Sequence, residues 1–140
     1  MRESLVAGIR HRFVYRVPAL KTVPHLYPES PEFQQMPEVF ATGFLVGLVE
    51  WTCIQAVNPH LDWPREQTVG TRVELSHEAP TPPGVEVRVD VELVEVDRRR
   101  LVFRAQAHDD VALICQGRHE RAVIDRERFA ARLAARAAQR

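Results

Sequence analysis

The stretch from Pro37 to Leu61, PEVFATGFLVGLVEWTCIQAVNPHL, limits what this chain can fold into more than any other part of it. It is the longest apolar run. Between Thr42 and Val57 it has no proline and a single carboxylate, Glu50. At 3.6 residues per turn it reads as one helix of about four turns. Phe44, Leu48, Trp51, Cys53, Ile54 and Val57 point in nearly every direction round that helix, and a helix that is apolar all round is a buried one. Thr42 stands at its start, where a threonine side chain can accept a bond from a free backbone N–H. Asn58-Pro59 ends it, because proline disfavours helix in the residue before it. A carboxylate inside such a helix is costly unless it is paired or hydrogen-bonded. Glu50 therefore either reaches an arginine or the surface, or is there for chemistry.

The remaining sequence bounds the setting. Its 140 residues read as a single domain, 1–140, with a basic C-terminal helix or tail at 126–140. Formal net charge is zero, which gives no case for nucleic acid or an anionic membrane as partner. No uncharged apolar run reaches the length of a membrane span. The N-terminal MRESLVAGIRHRF lacks the apolar core of a signal peptide. Cys53 and Cys115 both lie in apolar segments and read as buried thiols of a reducing, cytoplasmic compartment. The six histidines are scattered without a helical pair or a cysteine companion, which argues against a zinc site; no metal or other cofactor is implied.

Taken in order, residues 8–17 alternate in part and suggest a strand, with Phe13 and Tyr15 on one face and Arg12 and Arg16 on the other. Residues 18–39 hold prolines at 18, 24, 28, 31 and 37 and form neither a long helix nor a central strand. Leu26, Tyr27, Phe33 and Met36 would be wasted in solvent, so this is an ordered loop lying over the body, as functional lids do. After the helix and a polar connection at 60–67 the period changes to two. In 69–77, Val69, Val73, Leu75 and His77 share one face and Gly70, Arg72 and Glu74 the other. APTPPG at 79–84 is a turn, 85–93 a strand, 97–99 a charged turn, 101–107 a strand, and 111–124 a last strand in which Gly117 suggests a bulge.

Strand, long loop, buried helix and four strands joined by short turns imply an α+β architecture: an antiparallel sheet curved around a central helix, the hot-dog arrangement. Such a sheet leaves edge strands that a second copy could pair, so a homodimer is expected. His77 points toward the helix and Glu50 sits on it. Together they form a candidate acid–base pair. Gly70 could let its backbone N–H approach a ligand, and Thr42 supplies a hydroxyl: the groups an acyl transfer needs. Thr42 and Glu50 are eight residues apart, about 12 Å along one helix, so either the chain bends at Thr42-Gly43 or the set is completed across a dimer interface.

HLYPESPEF at 25–33, PEVFATGFLVGLVEW at 37–51 and GRHERAVI at 117–124 closely resemble the bacterial fluoroacetyl-CoA thioesterase family, over roughly residues 6–130. The resemblance implies a hot-dog homodimer that hydrolyses short acyl-CoA thioesters. It carries the family's catalytic threonine, glutamate and histidine onto Thr42, Glu50 and His77, and the glycine near the oxyanion onto Gly70. Loop 24–36, with Phe33 and Met36, would cover the acyl group; Met36 stands where the family enzyme has phenylalanine. Arg98, Arg99, Arg100 and Arg121 are the candidate cations for the CoA phosphates. Two other classes fit the same fold: a dehydratase or cyclase acting on a CoA- or carrier-bound thioester, and a non-catalytic acyl-CoA-binding module. A thiol-release assay separates them.

Overall fold

In a computed structural model, which describes residues 1–140, the first strand, β1, spans Arg10–Arg16. Phe13 and Tyr15 pack on the core, while Arg10, Arg12 and Arg16 lie outside and pair with Glu92, Asp90 and Glu86. The proline-rich segment is ordered, as expected. It makes two 3-10 turns, Ala19–Lys21 and Val23–His25, and a short helix α1, Pro31–Gln34. Proline suits the first turn of a helix because its missing N–H has no partner there anyway. The Ser30 hydroxyl accepts the Phe33 N–H at 3.1 Å, and Gln34 Nε2 donates to the Pro24 carbonyl at 2.6 Å, which closes the loop on itself. Tyr27 and Phe33 pack ring against ring at 5.8 Å. Leu26 fills the space over Gly43, where a Cβ would come within 3.1 Å of Leu26 Cδ1. The loop is thereby fastened beside Thr42.

The central helix α2 spans Thr42–Val57, without a bend at Gly43, and a 3-10 turn Asn58–His60 follows. Two expectations about it change. Ala41 is the N-cap and no side chain caps the helix, so Thr42 is its first residue and leaves its hydroxyl free for other work. The helix is also not buried all round. Leu45, Leu48, Val49, Cys53 and Val57 are in the core, but the stripe through Gly43, Val46, Gly47, Glu50 and Ile54 is not fully covered by the chain's own sheet, and Trp51 is exposed. These stripe positions recur at three- and four-residue spacing, so they form one face.

Strands β2 (Glu66–Leu75), β3 (Glu86–Asp97), β4 (Arg100–His108) and β5 (Leu113–Asp125) complete the sheet, in spatial order β1-β3-β4-β5-β2, all antiparallel. The edges are β1 and β2. Valines 87, 89 and 91, Leu93, Leu101, Phe103, Ala105 and Ala107 present the inner face to α2, as their alternation predicts. β2 departs from simple alternation. Gly70 pairs with Arg121 and Arg72 with Glu120, so Thr71 is an extra residue, a bulge. A bulge switches the parity of a strand. Val73 and Leu75 take the inward face, as expected, but so does Gly70, which the uninterrupted pattern had placed outward with Arg72, and Thr68 faces inward with it. The bulge expected at Gly117 is therefore on the partner strand instead. Gly117 keeps unbroken register with both neighbours, and its φ of 149° and missing Cβ let the Glu74 carbonyl lie against it.

The terminal helix α3 is Arg126–Ala137, capped by Asp125, which accepts the N–H groups of Glu127 and Arg128; none of its residues is buried. No helix is long and apolar enough to cross a membrane. Cys53 and Cys115 are free and buried, and burial pushes their thiols up to about 12 and about 11.

Candidate active site

Glu50 lies where α2 crosses the inner face of β2 and β5. Its Oε1 accepts a hydrogen bond from Arg121 Nη1 at 2.9 Å, and its side chain keeps 37 % of its surface exposed. Arg121 is only 3 % exposed and spends its guanidinium inside the fold. Nε donates to Thr68 Oγ1 at 2.8 Å, Nη2 to the Thr68 carbonyl at 2.8 Å, and Nη1 is shared between Glu50 and His119 Nε2 at 3.0 Å. Charge-assisted bonds of this kind are stronger than neutral ones, and the planar fork fixes direction as well as energy. His119 is fully buried, and its Nδ1 lies 2.8 Å from the Arg72 carbonyl. A carbonyl only accepts, so Nδ1 carries the proton. Nε2 is then the lone pair that receives Arg121, and the ring is neutral. Burial holds His119 below the ordinary imidazole value, opposed by the Arg72 carbonyl and assisted by the Arg121 charge.

Gly70 completes this cluster by what it lacks. A Cβ there would sit 2.5 Å from Glu50 Oε1, 3.4 Å from His119 Cε1 and 3.5 Å from Arg121 Nη1. Only glycine lets the β2 backbone come this close to the carboxylate, and the Thr71 bulge is what turns it to that side.

A second cluster stands at the N-terminal end of α2. Thr42 Oγ1 and His77 Nδ1 are 2.7 Å apart. His77 lies just beyond the end of β2. Its Nε2 is buried and has no hydrogen-bond partner. Burial keeps this imidazole below its ordinary value too, with the Ala79 backbone acting weakly the other way. The hydroxyl that could have capped the helix holds a histidine instead.

The sequence-predicted residues thus fall into two groups: Glu50, Gly70 and Arg121 in one, Thr42 and His77 in the other. Glu50 and His77 are not paired within a chain; the carboxylate's partners are Arg121 and, at 3.9 Å, His119. Because α2 is unbroken, the two groups stay about two turns of helix apart. Phe33 is half-buried and Met36 is 50 % exposed on the loop that Leu26 fastens beside Thr42. Arg121 is not the surface cation expected for a CoA phosphate, since its donors are occupied inside. Arg100 pairs with Glu95 and Glu120 at the exposed β3–β4 hairpin end. Sequence reasoning missed His119 and Thr68. The signal for His119 was present: period two in GRHERAVI puts His119, Arg121 and Val123 on one face.

An antiparallel sheet wrapped on one helix is the hot-dog fold, and here the helix carries a carboxylate beneath a glycine-cleared strand and an imidazole–hydroxyl pair at its start. Residues 25–127 match the fluoroacetyl-CoA-specific thioesterase family. The fluoroacetyl-CoA thioesterase of Streptantibioticus cattleyicolor is 51% identical over 133 residues, 95% of each chain. A solved structure of a fluoroacetyl-CoA thioesterase superposes with a TM-score of 0.91 at 50% identity, covering 95% of this chain and 98% of that one. A Thermus thermophilus thioesterase-superfamily member superposes at 0.83 with 25% identity, covering 99% of both. The chain belongs to the fluoroacetyl-CoA-specific thioesterase family.

Proposed function

We propose that this protein hydrolyses short acyl-CoA thioesters in the cytoplasm, as a homodimer whose sites each draw on both chains. The observation that carries the reading is Glu50: a carboxylate with one oxygen locked by a buried arginine and partly open to solvent, under Gly70, the one position of β2 that has no side chain. In this reading the thioester carbonyl is brought to the solvent-facing side of that carboxylate. Glu50 delivers oxygen to the carbonyl carbon through a water it deprotonates, or directly, in which case water then hydrolyses the acyl–Glu50 anhydride, and the Gly70 N–H faces the oxyanion that forms. The departing CoA sulfur takes the proton on His77 Nε2 while Thr42 Oγ1 donates to Nδ1, and a proton from the water consumed restores the ring. The products are a carboxylic acid and free CoA.

Two features support the dimer. β2 is an edge strand with Val73 47 % exposed, and the Gly43–Ile54 stripe of α2 is open on the same side of the fold as Glu50. A second copy set against β2 covers both. In this reading the partner's imidazole–hydroxyl pair completes the site at Glu50. Loop 24–36, through Phe33 and Met36, then lies over the acyl end.

The test is release of free thiol from a panel of acetyl-, fluoroacetyl- and longer acyl-CoAs, together with sedimentation. Turnover of the short members by a particle of about 32 kDa, twice the 16.0 kDa chain, is expected. Conversion of a thioester without thiol release points to a dehydratase or cyclase, and a fully active monomer rules out the shared site.

A further inference from the structure

Glu50 is held by Arg121, but the structure also says what holds Arg121. Its Nη1 must divide itself between two acceptors, Glu50 Oε1 at 2.9 Å and His119 Nε2 at 3.0 Å. His119 in turn is fixed by one bond, from Nδ1 to the carbonyl of Arg72, the first paired residue after the Thr71 bulge. One buried imidazole therefore touches both things that define the carboxylate's surroundings: the arginine that orients it and the bulge that turns Gly70 over it.

From this geometry we infer that His119 is a positioning residue for thioester hydrolysis, a neutral double-ended tie that fixes Arg121 on Glu50 and Gly70 above them. The inference rests on the proposed role of Glu50. It assigns His119 no contact with substrate. Its work is directional. The Nδ1–H donates to β2 and the Nε2 lone pair accepts from β5, so the ring joins β5 to β2 beside the bulge. Two directed bonds on a fully buried ring leave one tautomer and one orientation.

The charges around the ring explain why it must stay neutral. Arg121 faces Nε2 from β5, Glu50 approaches the same nitrogen to 3.9 Å from α2, the Arg72 carbonyl faces Nδ1 from β2, and Glu120 is next to it on β5. A proton on Nε2 would point at the Arg121 cation. The ring would then compete with Arg121 for Glu50 Oε1 and release the guanidinium that defines the carboxylate's position. A leucine, by contrast, fills the space but offers neither bond, and leaves an Arg121 donor and the Arg72 carbonyl without these partners. Glutamine can present an amide oxygen to Arg121 and an N–H toward β2.

The experiment compares wild type, His119→Leu and His119→Gln in thiol release, with folding monitored by circular dichroism and melting temperature. Outer-shell groups that orient a reacting ligand are worth roughly 10- to 100-fold. His119→Leu, folded, is expected to lose that much in kcat with KM within about threefold, since the tie acts on the reacting carboxylate and not on the bound substrate. His119→Gln should recover most of the loss. An unchanged kcat in folded His119→Leu overturns the inference. So does a loss that tracks melting temperature alone and is not recovered by glutamine, because that is packing. If the wild type releases no thiol from any acyl-CoA, the proposed function fails, and the tie is judged by nitrogen-15 NMR of the same proteins. The inference then requires a neutral Nδ1–H ring at His119 and slow guanidinium rotation at Arg121 that becomes fast in His119→Leu. Rotation that is fast in the wild type, or unchanged by the substitution, overturns it.

Discussion

The two polar clusters on α2 are built in opposite ways. Around Glu50 nearly every donor has an acceptor: Arg121 reaches Thr68 twice, Glu50 and His119, and His119 reaches the backbone of β2. At Thr42 there is one bond, to His77 Nδ1, and a buried Nε2 with none. The first arrangement holds a charge still. The second holds a ring by one nitrogen and leaves the other free to exchange a proton. A fixed carboxylate needs satisfied partners, since each buried group left unpaired costs about 1–3 kcal/mol. A proton shuttle needs an unsatisfied one. The contrast follows from the tasks proposed for them, and each half can be broken separately.

The largest effect expected is from mixing. Glu50→Gln and His77→Ala should each lower kcat by about 100- to 10,000-fold. If the two clusters meet only across a dimer, co-refolding the two dead proteins in equal amounts makes mixed dimers with one intact site, restoring about a quarter of wild-type turnover. No recovery places both groups of a site on one chain and ends the shared-site reading.

Gly70→Ala sharpens the comparison on the fixed side. Its methyl would lie 2.5 Å from Glu50 Oε1, so the carboxylate must swing away from Arg121 to make room. A displacement near an ångström at a reacting group costs roughly 100-fold. Steady-state kinetics should show that loss.

Met36 belongs to the loop fastened beside Thr42, so it tests the other side. Methionine is flexible and polarizable and adapts to irregular shapes, whereas phenylalanine presents a fixed plane with a polar edge. We expect fluoroacetyl-CoA to be hydrolysed with a modest preference over acetyl-CoA, and Met36→Phe to sharpen the ratio of kcat/KM by about 10-fold, the low end for one pocket contact. An unchanged ratio means that Met36 does not set the choice.

The smallest effect concerns pH. Both His77 and His119 are held below the ordinary imidazole value by burial. Below about pH 6.5 the unfolded chain takes up protons that the folded chain refuses, so stability falls as pH falls through that value toward the lower folded ones, and is fully present above it. Urea midpoints measured from pH 8 to pH 5 should decline on the acid side, and His119→Gln should flatten part of that decline.

Much of this was legible in residues 42–57 and 85–107. A long apolar segment free of proline and strict alternation are local patterns, and local patterns report helix and strand directly. The helix bounds, the antiparallel strands and the ordered loop come from them, and the motifs at 25–33 and 37–51 identify the family. Three things came only with the tertiary structure. The Thr71 bulge is one extra residue, invisible in a pattern of period two, yet it turns Gly70 from the outer face to the inner one. The fate of Arg121 depended on which strands flank β5: between β4 and the bulged β2 it faces Glu50, and no composition distinguishes that from a surface cation. The open stripe on α2 depended on how far one sheet can wrap. Sequence shows that a helix is apolar all round, but only the packed fold shows which face a single chain leaves uncovered, because burial is decided by neighbours distant in the chain.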